Sequence, residues 1–107
     1  MSRDLRTYLD DIEASCDLVE HLTAGKNREK ALGNKDTLEV ILRNLELIAE
    51  DINYLPEDLR YDMPDVNWQQ VHGLEDILRA KPDEETLWEI VQNLVPQLHD
   101  AVTRASV

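Results

Sequence analysis

Leu5, Tyr8, Leu9, Ile12, Cys16, Val19 and Leu22 recur on a three- and four-residue repeat, the spacing that sets side chains along one face of an α-helix. Ser2 stands before this stripe as an N-cap and Gly25 after it as a stop, so the pattern predicts one amphipathic helix. Lys26 to Lys35 breaks the repeat. It is the only locally basic part of the chain, and it reads as a solvated loop with room for one helical turn rather than as a phosphate contact. A second stripe follows at Leu38, Ile41, Leu42, Leu45, Ile48, Ile52 and Leu55, entered near Asn34 to Asp36 and stopped by Pro56.

The next segment is irregular. Pro56 to Arg60 fits one helical turn, and Pro64 holds Met63 extended by crowding its backbone. Asn67 is placed to cap a third helix, with Gln70 three residues on to answer it as in a capping box. Trp68, Val71, Leu74, Ile77 and Leu78 form that helix's apolar stripe, and Gly73 would let another helix approach closely. The helix should end between Arg79 and Lys81, because Pro82 disfavours helical geometry in the residue before it. Asp83 then caps a last helix whose Glu84 and Glu85 lie at the positive end of the dipole. Its stripe is Leu87, Ile90, Val91, Leu94, Leu98, Ala101 and Val102, and Pro96 should kink it near Gln92. The expected fold is all-α: a four-helix up-down bundle with short extra helical turns and a kinked last helix, one domain over residues 1–107.

Composition restricts the chemistry. The chain carries 23 acidic and 11 basic side chains, a formal charge of −12, whereas backbone-driven nucleic-acid binding needs a basic face. Between Asn44 and Leu78 the only basic side chain is Arg60, against nine carboxylates. This half would repel a nucleic acid, and a solvated acidic surface is the plain reading; a docking face for a basic partner, or an acidic nucleic-acid mimic, is the sharper one. With 42% hydrophobic residues and no Phe, the core must be aliphatic. The single cysteine, Cys16, excludes an internal disulfide and falls on the apolar stripe, where a buried small hydrophobe is expected. No metal site or cofactor motif stands out. The absence of a long apolar run and the charged N-terminal segment point to a cytoplasmic protein with no membrane contact.

Several blocks resemble one family in order and spacing. They are RDLRTYLDDI at Arg3 to Ile12, VILRNLELIAEDINYLPEDLR at Val40 to Arg60, the Pro64, Trp68, Gly73 and Leu74 framework, and WEIVQNLVPQL at Trp88 to Leu98. Together they look like the HepT-like family of the HEPN superfamily, small all-helical prokaryotic proteins usually encoded beside a minimal nucleotidyltransferase called MntA. The resemblance implies a HEPN-like bundle, a homodimer formed around the active-site motif, and an MntA-like partner. Family members carry Arg, four residues, His, one residue and Tyr just after the glycine that Gly73 matches. Counted forward from Trp68, these positions fall on Glu75, Ala80 and Pro82; counted back from Trp88, they fall on His72, Ile77 and Arg79. Neither register restores the motif.

The loss bears on mechanism. Metal-independent RNA cleavage needs a group near neutral pKa to move a proton and a cation to stabilise the developing phosphorane charge. Glu75 has the wrong sign for the cation, Ala80 carries no proton, and Pro82 lacks the hydroxyl that in the family accepts AMP from the partner enzyme. His72, Glu75 and Arg79 are the candidates for any residual site. Arg43, Asn44, Glu46 and Glu50 match a polar run of the family on the second helix; they read mainly as surface pairs, with partner binding as the alternative. Three functions remain open: a non-catalytic dimeric binding or regulatory module linked to a nucleotidyltransferase or toxin-antitoxin system, an RNA-cleaving toxin using non-standard residues, and a purely structural helical adaptor.

Overall fold

Helix α1 (Leu5–Thr23) begins where Asp4 accepts hydrogen bonds from the Thr7 amide at 2.9 Å and the Thr7 hydroxyl at 3.0 Å. These bonds satisfy donors that a helix start leaves orphaned. The computed structural model describes residues 4–105, so the expected cap Ser2 lies outside the described residues. Gly25 follows with φ of +71°, a left-handed turn that glycine makes without steric cost.

The basic stretch after it forms one full turn of helix, α2 (Arg28–Leu32), capped by Asn27. It is more than a solvated loop, since Ala31 and Leu32 are buried against the core. Helix α3 (Lys35–Ile52) starts at its cap Asn34 and stops four residues before Pro56. Residues 53–55 continue as tight turns, with the Leu55 amide donating to the Ile52 carbonyl at 3.0 Å. Leu55 thereby reaches the core while leaving the helical geometry that Pro56 forbids it.

The short helix α4 (Glu57–Tyr61) follows. The expected third long helix is instead two short ones, α5 (Trp68–His72) and α6 (Leu74–Arg79), divided at Gly73. A side chain at Gly73 would meet only the carbonyls of Gln69 and Gln70, at 3.7 and 3.8 Å. The glycine therefore marks a break in the helix and not a close helix crossing. The capping box is half made: Asn67 accepts from the Gln70 amide at 3.1 Å, but the Asn67 amide donates to Gln97 Oε1 on the last helix. A tertiary partner has taken the place of the local one.

Helices α7 (Glu84–Glu89) and α8 (Val95–Arg104) are joined through a π-helical turn over Ile90–Leu94. Pro96 has no amide proton and its ring crowds the preceding turn. The wider turn makes room, and the Val95 amide reaches back five residues to the Ile90 carbonyl. The disturbance expected near Gln92 takes this form.

Packing centres on α1, whose Leu9, Ile12, Cys16 and Val19 are fully buried between α3 on one side and α8 on the other. Helix α6 lies against α3, and α2 bridges α3 and α7. Each fully buried Leu or Ile contributes roughly 1.5–3 kcal/mol by leaving water, and Leu9 and Ile12 join buried side chains from α3, α7 and α8 in one continuous core.

Lys81, between Ala80 and Pro82, sits at φ of +55°, a left-handed conformation that strains any residue with a Cβ. Lys81→Gly should therefore raise the unfolding free energy by about 0.5–1 kcal/mol, read as a higher urea midpoint with an unchanged slope. The Asp83 carboxyl is held below its ordinary value of 3.8, first by the Thr86 amide that it accepts from at 2.8 Å. A depressed carboxylate stabilises above its unfolded pKa and loses that contribution as pH falls through its folded one. Asp83→Asn keeps a cap that does not titrate, so its melting temperature should fall less steeply than the parent's below pH of about 4.

Candidate functional site

Glu75 opens α6 as an exposed side chain, and its Oε1 accepts from Asn53 Nδ2 at 3.2 Å. Ala80 is the residue just past the same helix and Pro82 lies in the connection to α7. Ala80 and Pro82 present no proton-transfer group, and none of the three positions carries a cation. A groove of about 300 Å³ between α3 and α6 is lined by Glu46, Ala49, Glu50, Glu75, Leu78 and Arg79. Two residues of the residual-site set, Glu75 and Arg79, thus share one groove with two of the partner-binding set, Glu46 and Glu50.

Arg79 is the groove's single cation, and it faces Asp76 on its own helix at 3.5 Å, both side chains exposed. Pairs of this kind contribute little, so Arg79 does not neutralise the three carboxylates around it. Arg43 and Asn44 are not part of the groove lining. Arg43 pairs with Glu46 at 3.7 Å across one helical turn, and Asn44 donates back to the Val40 carbonyl at 2.8 Å. Both contacts are local to α3.

His72 lies in a different cleft. It shares a hollow of about 280 Å³ with Glu57, Arg60, Tyr61 and Trp68, between α4 and α5. The Arg60 Nη1 donates to His72 Nε2 at 3.4 Å, Nη2 donates to the Ile52 carbonyl at 3.2 Å, and the guanidinium carbon stands 5.8 Å from the centre of the Trp68 ring. The Ile52 contact places a cation against the C-terminal end of α3, where the helix dipole favours it. Arg can only donate, so in this contact His72 Nε2 is the acceptor. The Trp68 indole is fixed in turn by its bond to the Met63 carbonyl at 2.9 Å.

Of the backward-counted positions, His72 and Arg79 are exposed in separate clefts, and Ile77 is half-buried against the core. Motif spacing gave no reason to join residues 60 and 72, so Arg60 was missed. Its isolation as the one basic side chain between Asn44 and Leu78 was the available signal.

His99 on α8 contacts Glu20 on α1, Nδ1 to Oε2, at 2.9 Å. A hollow of about 400 Å³ beside Met63 and Ala101 holds Asp62, Asp65 and Arg104, and Arg104 already pairs with Asp100 at 2.8 Å and Asp65 at 3.7 Å. Among the described residues, no three His, Cys, Asp or Glu side chains gather as metal ligands. No helix among them is long and apolar enough to cross a membrane.

A family model described as ribonuclease HepT-like matches residues 12–105. Comparison with curated proteins and with solved structures gives no match.

Cys16 is fully buried. Burial, and then the nearby carboxylates of Glu20, Glu13 and Asp17, push its thiol up to about 12. A disulfide reagent at neutral pH should label the native protein at least about a hundredfold more slowly than the denatured chain, because reaction must wait for opening and for a thiolate. Stopped mixing with and without guanidinium measures the ratio.

Proposed function

The chain belongs to the ribonuclease HepT-like family, and we propose that within it this protein is a non-catalytic binding or regulatory module. In this reading it keeps the HEPN-type bundle in a four-helix up-down arrangement, with α5 and α6 together in the third helical position. It works in the cytoplasm as a homodimer, with a minimal nucleotidyltransferase of the MntA type as partner, as one half of a toxin-antitoxin system whose nuclease function has lapsed.

One observation carries the proposal. Counted forward from Trp68, the motif arginine falls on Glu75, in a groove with Glu46 and Glu50 whose cation, Arg79, is turned toward Asp76. A phosphate brought there would meet carboxylates at close range in a chain of charge −12, and like charges in a shared cleft raise the cost of approach. The same groove suits a basic element of a protein partner, which would give Glu46, Glu50 and Glu75 a common purpose. Ala80 and Pro82 supply nothing for proton transfer or for acceptance of a nucleotidyl group.

A second reading has its own support. Arg60 and His72 are in contact at 3.4 Å, and a cation beside an imidazole is the pair that RNA cleavage uses. If the protein retains nuclease activity, these two residues would carry it, and Arg79 would not.

Purified protein at micromolar concentration should leave single-stranded and structured RNA intact, and should co-purify with the product of an adjacent nucleotidyltransferase gene. Glu46→Lys combined with Glu75→Lys should weaken that association by at least about tenfold, on the order of 1–2 kcal/mol for reversing two charges in a polar interface. RNA cleavage that disappears in His72→Ala would sink the non-catalytic reading in favour of the second.

A further inference from the structure

Residues 80–83 join α6 to α7, and within them Lys81 is the one non-glycine with a positive φ among the described residues. Both ends of this connection are fixed. The Ala80 and Lys81 amides close the last turn of α6 on the Asp76 and Leu78 carbonyls at 3.1 and 3.2 Å, and Asp83 is committed to the cap of α7. The change of direction therefore falls on Lys81 and Pro82, and the proline's own φ is locked. Lys81 occupies the place just past a helix end where glycine is usual, because a Cβ is costly there. Pro82 adds to this by driving the residue before it toward extended backbone, near a φ of about −120°. The residues at the hinge thus prefer the conformation that the folded chain denies them.

What holds the hinge bent lies beyond it. Helix α6 rests on α3, whereas α7 rests on α2 and α8 on α1. Leu87, Ile90, Leu94, Leu98 and Val102 are buried on that far side. Three polar contacts tie the same segment back: His99 to Glu20 at 2.9 Å, the Asn67 amide to Gln97 at 3.1 Å and Arg104 to Asp65 at 3.7 Å. An extended Lys81 would carry α7 and α8 off this surface and expose their apolar faces, so in a lone chain burial overrides the hinge. In two chains the conflict disappears. Each can extend its hinge and lay α7 and α8 on the other's α2 and α1, and every contact named above re-forms with the partner copy.

We propose that residues 80–83 are a loaded hinge through which two copies of this chain exchange their α7–α8 segments. Exchange leaves the buried surface and the polar ties of each unit as they are. It releases hinge strain twice per dimer against the entropy of joining two chains, so concentration and passage through the unfolded state favour it. A dimer formed face to face would leave α8 on its own chain's α1. The exchange is therefore distinct from a homodimer of that kind, and it stands whether or not the α3–α6 groove holds a protein partner.

The test unfolds equal amounts of isotope-labelled and unlabelled protein together in guanidinium and refolds the mixture at millimolar concentration. Isotope-filtered spectra then report methyl groups on α1 of one chain that lie against methyl groups on α8 of another. The parent should give a dimer fraction by size-exclusion chromatography, and that fraction should carry these contacts between chains. Lys81→Gly, which makes the bent hinge easy, should lower the association constant about tenfold, since the relief in each chain counts twice. Pro82→Ala, which lifts the bias toward extension at residue 81, should lower it in the same direction. Lengthening the hinge with Gly-Ser-Gly between Lys81 and Pro82 should remove the exchanged dimer. A dimer whose α1 and α8 touch only within a chain would overturn the proposal while leaving a face-to-face homodimer standing. So would refolding to monomer alone, or a Lys81→Gly variant that exchanges as readily as the parent.

Discussion

The seam along α1 governs the rest of the molecule. Leu9, Ile12, Cys16 and Val19 are sealed from water on a single helix face, and two long elements, α3 and α8, must lie on either side of it to do the sealing. In a chain without Phe this is achieved mainly by Leu, Ile and Val stacked in depth, with Tyr8 as the one buried aromatic ring among the described residues. The thiol of Cys16 is one consequence, held protonated by the apolar wall it helps to form. The His99 contact to Glu20 is another, lying at the seam's partly exposed edge where α8 crosses α1.

With α1, α3 and α8 committed to that seam, the segment from Pro56 to Pro82 has to close the core with short pieces. It does so by anchoring them to the ends of the long helices. Arg60 reaches the carbonyl of Ile52 at the end of α3, Trp68 holds Met63, and the Asn67 amide takes Gln97 from α8. These three bonds fix α4 and α5 relative to the bundle, and they also shape the cleft in which Arg60, Trp68 and His72 meet. Arg60 does this with two of the five donors of its guanidinium.

Charge distinguishes the α3–α6 groove from the α4–α5 cleft. In the α3–α6 groove the carboxylates Glu46, Glu50 and Glu75 outnumber Arg79, and in the α4–α5 cleft Arg60 faces Glu57 alone. The arginine–histidine contact, Arg60 to His72, lies in the second of these clefts and not beside Glu75.

Much of this was legible in the residues. The caps Asn34, Asn67 and Asp83, the stripes of α1 and α3, the burial of Cys16 and the disturbance caused by Pro96 all follow from local rules of spacing, dihedral preference and missing donors, which act within one or two helical turns. That neither count of the family motif finds its three residues, forward on Glu75, Ala80 and Pro82 or back on His72, Ile77 and Arg79, is likewise read from the sequence alone. Only the tertiary structure decided the break at Gly73, the pairing of Asn67 with Gln97, the gathering of Glu46, Glu50, Glu75 and Arg79 into one groove, and the meeting of Arg60 with His72. The physical reason is common to all four. Each depends on which helix packs against which and where each one ends, and that is settled by burying apolar surface shared among distant segments, a quantity no single stretch of sequence contains.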